Sequence, residues 1–127
     1  MSALTHCRNL LLAAVLILPV ALTSAEYADV IINNRAESEG LPPVVFPHWF
    51  HRIRYQCSVC HVELAMQMKA GANNISMDKI SDGQYCGACH NGVIAWSAEN
   101  CDLCHSGRAG LETGIRGGHS TGGPGIY

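Results

Sequence analysis

One short pattern of cysteine and histidine occurs three times in this 127-residue chain. The copies are Cys57-Ser-Val-Cys60-His61, Cys86-Gly-Ala-Cys89-His90 and Cys101-Asp-Leu-Cys104-His105. They contain six of the seven cysteines; the seventh, Cys7, precedes an apolar run near the start of the chain. Thiols at this spacing serve as disulfide partners, zinc ligands, redox dithiols or the covalent anchors of a haem.

Covalent haem attachment explains this pattern best. A disulfide framework suits an even number of cysteines, but it gives no reason for the histidine after each pair. A zinc ion takes four ligands, so two pairs would complete one site and leave the third pair over. A thioredoxin-like dithiol occurs once, in a βαβ setting that the sequence does not show. In a c-type haem site, two thiols hold one porphyrin and the next histidine binds its iron. The pattern therefore predicts three covalently bound haems c.

Residues 1–25 predict a secretory signal peptide. Arg8 lies in a short polar start, residues 10–22 are almost entirely apolar, and Thr23-Ser24-Ala25 supplies the small residues of a cleavage site. The apolar run is shorter than the roughly 20 residues that span a bilayer. We therefore expect a periplasmic or otherwise exported protein, without Cys7 and with no direct membrane span after cleavage.

Composition indicates a domain held together by more than an apolar core. Many of the chain's apolar residues lie in the predicted signal peptide. The whole chain has 13 glycines but only two Phe, two Trp and four Tyr. Few large side chains remain to build a core. The net charge of −2 comes without a basic stripe, which argues against a nucleic-acid partner. We expect a small, mostly irregular fold with short α-helices wrapped around haem and little or no sheet.

The chain divides into four predicted segments. Residues 1–25 are the signal peptide, and 26–45 are an N-terminal extension whose "YADVII" suits a short strand or a helical turn. Residues 46–106 form the haem domain. Residues 107–127 are rich in glycine and predict a flexible tail.

Two further histidines, His48 and His51, precede the first motif. Pro47 suits the first position of a helix, and histidines three residues apart share one helix face. On such a helix, the two imidazoles are expected to bind two different irons, one on each side. The helix would then connect two haems and hold them close together. The simpler alternative for each is an exposed histidine near a turn.

The segment Phe-Pro-His-x-x-His before the first motif, and the block from Gly71 to His105, resemble the trihaem cytochrome c7-type branch of the class III multihaem cytochromes c. The resemblance implies a haem-wrapped class III cytochrome c-like fold. It also implies that His48 pairs with His61 and that His51 pairs with His90.

The partner of His105 is the least determined ligand. Many members of the branch carry a histidine four residues before the second motif, where this chain has Asp82. Met77 is the preferred candidate, because some trihaem domains of the branch use a methionine on this haem. His119, another methionine or an open iron are the alternatives.

The methionine candidates have different local settings. Met77 follows Ser76, a residue suited to cap a helix N-terminus. Met66 and Met68 lie in "VELAMQMKAG", which predicts a short helix ended by Gly71. Methionines there are expected to fill packing gaps.

These features predict an exported electron carrier that is not an enzyme. Three closely spaced haems pass electrons between other redox proteins in transient encounters. One alternative is a haem enzyme or sensor with a five-coordinate third haem. Another is a subunit of a larger multihaem assembly.

Overall fold

The computed structural model describes residues 28–117 of the chain. The predicted signal peptide, the end of the predicted tail and His119 lie outside the described residues. Within them, none of the helices is long and apolar enough to cross a membrane.

Short elements joined by irregular chain make up the described part. The strands are β1 (Ala28–Ile32), β2 (Val44–Phe46) and β3 (Gly114–Gly117), and the α-helices are α1 (His48–Arg52), α2 (Met77–Ser81) and α3 (Cys101–Cys104). Single turns of 3-10 helix lie at Glu37–Glu39 and Tyr85–Ala88, and a π-helical turn lies at Val59–Glu63. The predicted fold, mostly irregular with short helices and little sheet, is confirmed.

The three strands form one small antiparallel sheet in the order β2-β1-β3. Its central strand β1 is rich in Val and Ile, which suit a pleated surface. This strand is one of the two conformations, strand or helical turn, that were predicted for "YADVII". Ile31 in β1 is fully buried, and Ala28 and Ala36 are buried beside it. This sheet and the turn after β1 form the apolar core that the polypeptide itself provides among the described residues.

Strand β3 comes from the segment that the sequence analysis placed in a flexible tail. It pairs with β1 along four residues, and the chain just before it is also fixed. The backbone N–H of Asn33 donates to the Thr113 hydroxyl over 2.9 Å, and that hydroxyl donates to the Asn34 side chain over 2.7 Å. The Asn33 amide donates to the Leu111 carbonyl over 2.8 Å. Pairing with β1 therefore orders residues 111–117 of this glycine-rich segment despite their composition.

The helix predicted between Val62 and Gly71 is wrong beyond Glu63. Ala65 has a φ of 50°, a left-handed conformation that stops the helical turn. The Met66 N–H donates to the Cys60 carbonyl over 3.0 Å, which bends the chain back onto the first motif. In contrast, Ser76 caps α2 as predicted, since its side chain accepts the Lys79 N–H.

Candidate haem site

Helix α1 carries the two histidines that precede the first motif. It starts one residue later than predicted, directly after Pro47, whose carbonyl accepts the N–H groups of Phe50 and His51 over 3.1 and 3.3 Å. The Nδ1 atom of His51 also donates to this carbonyl, over 3.1 Å. The start of the helix therefore fixes both the backbone and the ring of His51.

Each histidine of α1 faces the histidine of a different motif. The ring centroids of His48 and His61 are 6.4 Å apart, and those of His51 and His90 are 6.1 Å apart. Two imidazoles that bind one metal from opposite sides, each nitrogen about 2 Å from it, place their centroids roughly 6 Å apart. Both pairs therefore have the spacing of rings that share one iron.

The histidine of every motif donates its Nδ1 hydrogen to a backbone carbonyl. The acceptors are Met66 for His61 at 2.8 Å, Trp96 for His90 at 3.1 Å and Pro42 for His105 at 2.6 Å. A carbonyl only accepts, so Nδ1 carries a hydrogen and Nε2 is the nitrogen left to face a metal. This is the usual second-shell arrangement around a metal-binding histidine.

Burial keeps the rings on α1 neutral. It lowers the pKa of His48, and the neighbouring His61 and Arg52 lower it further. Burial also lowers the pKa of His51, against the opposing effect of its hydrogen bond to Pro47. A neutral imidazole is the form that binds a metal, so neither ring has to lose a proton near neutral pH.

The motif cysteines lie in or beside short helical turns. Within residues 28–117 the six motif thiols form no disulfide bonds with one another. In the second and third motifs, the histidine N–H donates to the first cysteine's carbonyl, over 2.8 Å from His90 to Cys86 and 2.9 Å from His105 to Cys101. Each turn therefore holds two thiols and one imidazole together.

The three motifs converge on the second one. Burial raises the pKa of the Cys86 thiol to about 11, and the nearby Cys104 and Cys60 raise it further. Burial also raises the pKa of Cys60, with Cys89 contributing. Cys86 is thus within electrostatic range of a cysteine from each of the other two motifs.

A cavity of about 700 Å³ opens beside the first motif. Cys57, Cys60 and His61 line it together with His48, and His51 and Cys86 of the second site also reach it. Its volume is that of a pocket for a large organic ligand. The other lining residues are largely apolar and include Val30, Phe46, Met66, Ile75 and Ile115. The donor set and the apolar walls fit a haem held by these two thiols and two imidazoles.

The third motif has a different surrounding. His105 is held by Pro42, and the Gly107 N–H donates to the Pro43 carbonyl over 2.9 Å, which fixes the motif to the chain before β2. Within residues 28–117, no histidine ring packs against that of His105. Met77 is the first residue of α2 and is half-exposed. Met66 and Met68 line the first cavity instead.

Comparisons with known proteins agree with this geometry. A family profile described as cytochrome c7 and related cytochrome c matches residues 44–106. A solved c7-type three-haem cytochrome domain is 38% identical with a TM-score of 0.53, over 61% of this chain and 90% of that domain. The C-terminal hexahaem fragment of GSU1996 is 37% identical with a TM-score of 0.52, over 61% of this chain and 47% of the fragment. No curated protein matches the chain.

The repeated motifs, the paired imidazoles and these matches define a c-type multihaem cytochrome. The chain belongs to the family of cytochrome c7 and related cytochromes c. It is therefore a multihaem electron-transfer domain with covalently bound haem c. The predicted resemblance is confirmed.

Proposed function

We propose that this chain carries three haems c and passes electrons between redox proteins outside the cytoplasm. The thioether anchors are Cys57 and Cys60, Cys86 and Cys89, and Cys101 and Cys104. The observation that carries the proposal is the spacing of two histidine pairs, 6.4 Å and 6.1 Å, at two motifs served by one helix.

These pairs support the proposed ligand sets. His61 and His48 would bind the first iron, and His90 and His51 would bind the second. Bound haem supplies reversible one-electron chemistry at its iron. The protein's part is to hold the imidazoles in place through the carbonyls of Met66, Trp96 and Pro47.

Helix α1 sets the distance between the first two haems. His48 and His51 are neighbours on one helix face, with Cβ atoms about 5–6 Å apart. The Pro47 carbonyl accepts from the His51 ring and from two backbone N–H groups of the helix. The helix would therefore connect two redox sites, and two filled ligand positions at each site would leave no place for a substrate.

For the third iron, bound by His105, we propose Met77 as the second axial ligand. Its support is the resemblance, together with its place at the capped start of α2, where its side chain is half-exposed. A thioether ligand would raise the potential of this haem above those with two imidazoles.

Near-infrared magnetic circular dichroism of the oxidised holoprotein tests this ligand set. We expect two His/His haems and one His/Met haem, with the His/Met signature lost in Met77→Ala. Met68→Ala is the control, because Met68 is largely exposed and lies at the first cavity; it should keep the signature. A high-spin third haem in the native protein would instead favour an enzyme or sensor with an open iron.

Export and transient redox partners complete the proposal. The sequence of residues 1–25 supports export. The likeness to a hexahaem fragment supports the alternative that the chain works within a larger multihaem assembly. Haem staining of periplasmic and cytoplasmic fractions from the native host tests the location, and sedimentation at several protein concentrations tests the assembly.

A further inference from the structure

Three apolar side chains form a row across the sheet on one wall of the first cavity. Val30 in β1 is directly opposite Phe46 in β2 and Ile115 in β3. Directly opposed residues of an antiparallel pair project from the same face of a sheet. All three line the cavity that contains all four donors of the first site, Cys57, Cys60, His48 and His61, but only two of the second, His51 and Cys86. The row therefore faces mainly the first haem site.

Two members of this row come from outside the part of the chain that the family profile matches. The match covers residues 44–106, and it therefore includes Phe46 but neither Val30 nor Ile115. The wall is completed by strand β3, which follows the haem motifs in the chain. Ile115 thus lies outside the matched region, which contains the proposed ligands of the site.

Strand β3 is held firmly enough to act as a wall. Thr113, two residues before Ile115, binds both Asn33 and Asn34. Asn34 also donates to the carbonyl of Gly71, a residue that lines the cavity, over 2.8 Å. A Cβ at Gly71 would come within 2.7 Å of the Thr113 methyl group, so Gly71 and the β3 segment are in close contact.

We infer that the row Phe46–Val30–Ile115 shields the first haem from water and that Ile115 raises the reduction potential of this haem selectively. The inference rests on the proposed function, which places a haem at Cys57 and Cys60. Ferric haem carries one more positive charge than ferrous haem, and an apolar wall disfavours the extra charge. Burial and local polarity are established means of setting haem potentials.

The test measures the potential of each haem by NMR-monitored redox titration of the holoprotein. Ile115→Thr keeps a β-branched residue in the strand and makes the wall polar. We expect the oxidised-to-reduced ratio of the first haem at a fixed potential to rise about threefold, a shift of about −28 mV for one electron. The other two haems should shift much less.

Val93→Thr is the matched control, because Val93 is 90% exposed and does not line the cavity. This variant should leave the reduction potential of the first haem unchanged relative to the potentials of the other two. The inference would be overturned if Ile115→Thr left the potential of the first haem unchanged, or if it shifted the potentials of all three haems equally.

A second measurement needs no variant. In the fully reduced, diamagnetic holoprotein, nuclear Overhauser effects should connect the Ile115 methyl groups with substituents of the haem at Cys57 and Cys60. Their absence would also overturn the inference. Peptide mapping of the same sample separates this result from failure of the proposed function, which would appear as Cys57 and Cys60 without haem.

Discussion

The imidazole of His51 lies 6.1 Å from that of His90, centroid to centroid, and the two rings are inclined by 50°. Each ring is oriented by a different backbone carbonyl, Pro47 for His51 and Trp96 for His90. A residue before the first motif is therefore positioned against the histidine of the second. This relation supports the proposal that α1 connects two haem sites.

Replacing His51 should affect the second haem alone. In His51→Ala, the second iron loses one imidazole, so one haem in three should change from low to high spin in the electron paramagnetic resonance spectrum of the oxidised protein. The control is Arg54→Gln, because the Arg54 guanidinium lies 3.6 Å from the Phe50 ring centroid and serves packing at the same helix. A fully low-spin spectrum for His51→Ala would exclude His51 as a ligand.

Gly87, inside the second motif, should not tolerate a side chain. It is buried, and a Cβ there would clash with the Ile80 carbonyl oxygen of α2. Because backbone would have to move, Gly87→Ala should lower the free energy of unfolding by about 1–3 kcal/mol or more. Guanidinium titration of the holoprotein measures this.

Gly114→Ala is the control for that experiment, since a Cβ at Gly114 meets nothing within 4 Å. Its free energy of unfolding should stay within about 0.5 kcal/mol of the native value. Equal stability of the Gly87 and Gly114 variants would show that the second motif does not pack tightly against α2.

Glu37 should make part of the stability depend on pH. The Gly110 N–H, and then the Asn33 side chain, lower the pKa of its carboxyl group by hydrogen bonding. A carboxyl whose pKa is lower in the folded state stabilises the fold above its unfolded pKa. This stabilisation is lost as the pH falls through the folded pKa.

The stability difference between native protein and Glu37→Gln should therefore be larger at pH 7 than at pH 3. The comparison is made by denaturant titration of holoproteins, so that contributions from haem propionates cancel. Glu39→Gln, an exposed change in the same 3-10 turn, is the control. A pH-independent difference for Glu37→Gln would argue that its bonds to Gly110 and Asn33 are not formed in solution.

Without haem, the chain should be largely unfolded. Within residues 28–117, the buried apolar side chains are small in number and lie around β1; they are Ala28, Ile31, Ala36 and Pro43. Ligand bonds that exist only in the fold stabilise it. A variant with all six motif cysteines changed to serine should show weak far-ultraviolet circular dichroism, and a cooperative thermal transition in it would contradict this.

Most of the candidate site could be predicted from the sequence, because it consists of particular residue types at fixed spacing. The motifs and the pair His48 and His51 are recognisable because thiols and imidazoles at those intervals suit haem. The cap at Ser76 was also predictable, since a serine side chain at that position binds a backbone N–H.

Contacts made by backbone atoms were not predictable in this way. The carbonyls of Met66, Trp96 and Pro42 orient the motif histidines, yet any residue supplies a carbonyl. The pairing of β3 with β1 was missed for a related reason. It depends on bonds between residues far apart in the chain, such as Asn33 and Thr113, whereas the glycine content of the segment indicated flexibility.

The intact mass of the mature protein, purified from its native host, tests the central claim most directly. The account predicts the polypeptide mass plus three haems, with peptide mapping that places one at each cysteine pair. A mass equal to the polypeptide alone, or haem missing from any of the three pairs, would contradict it.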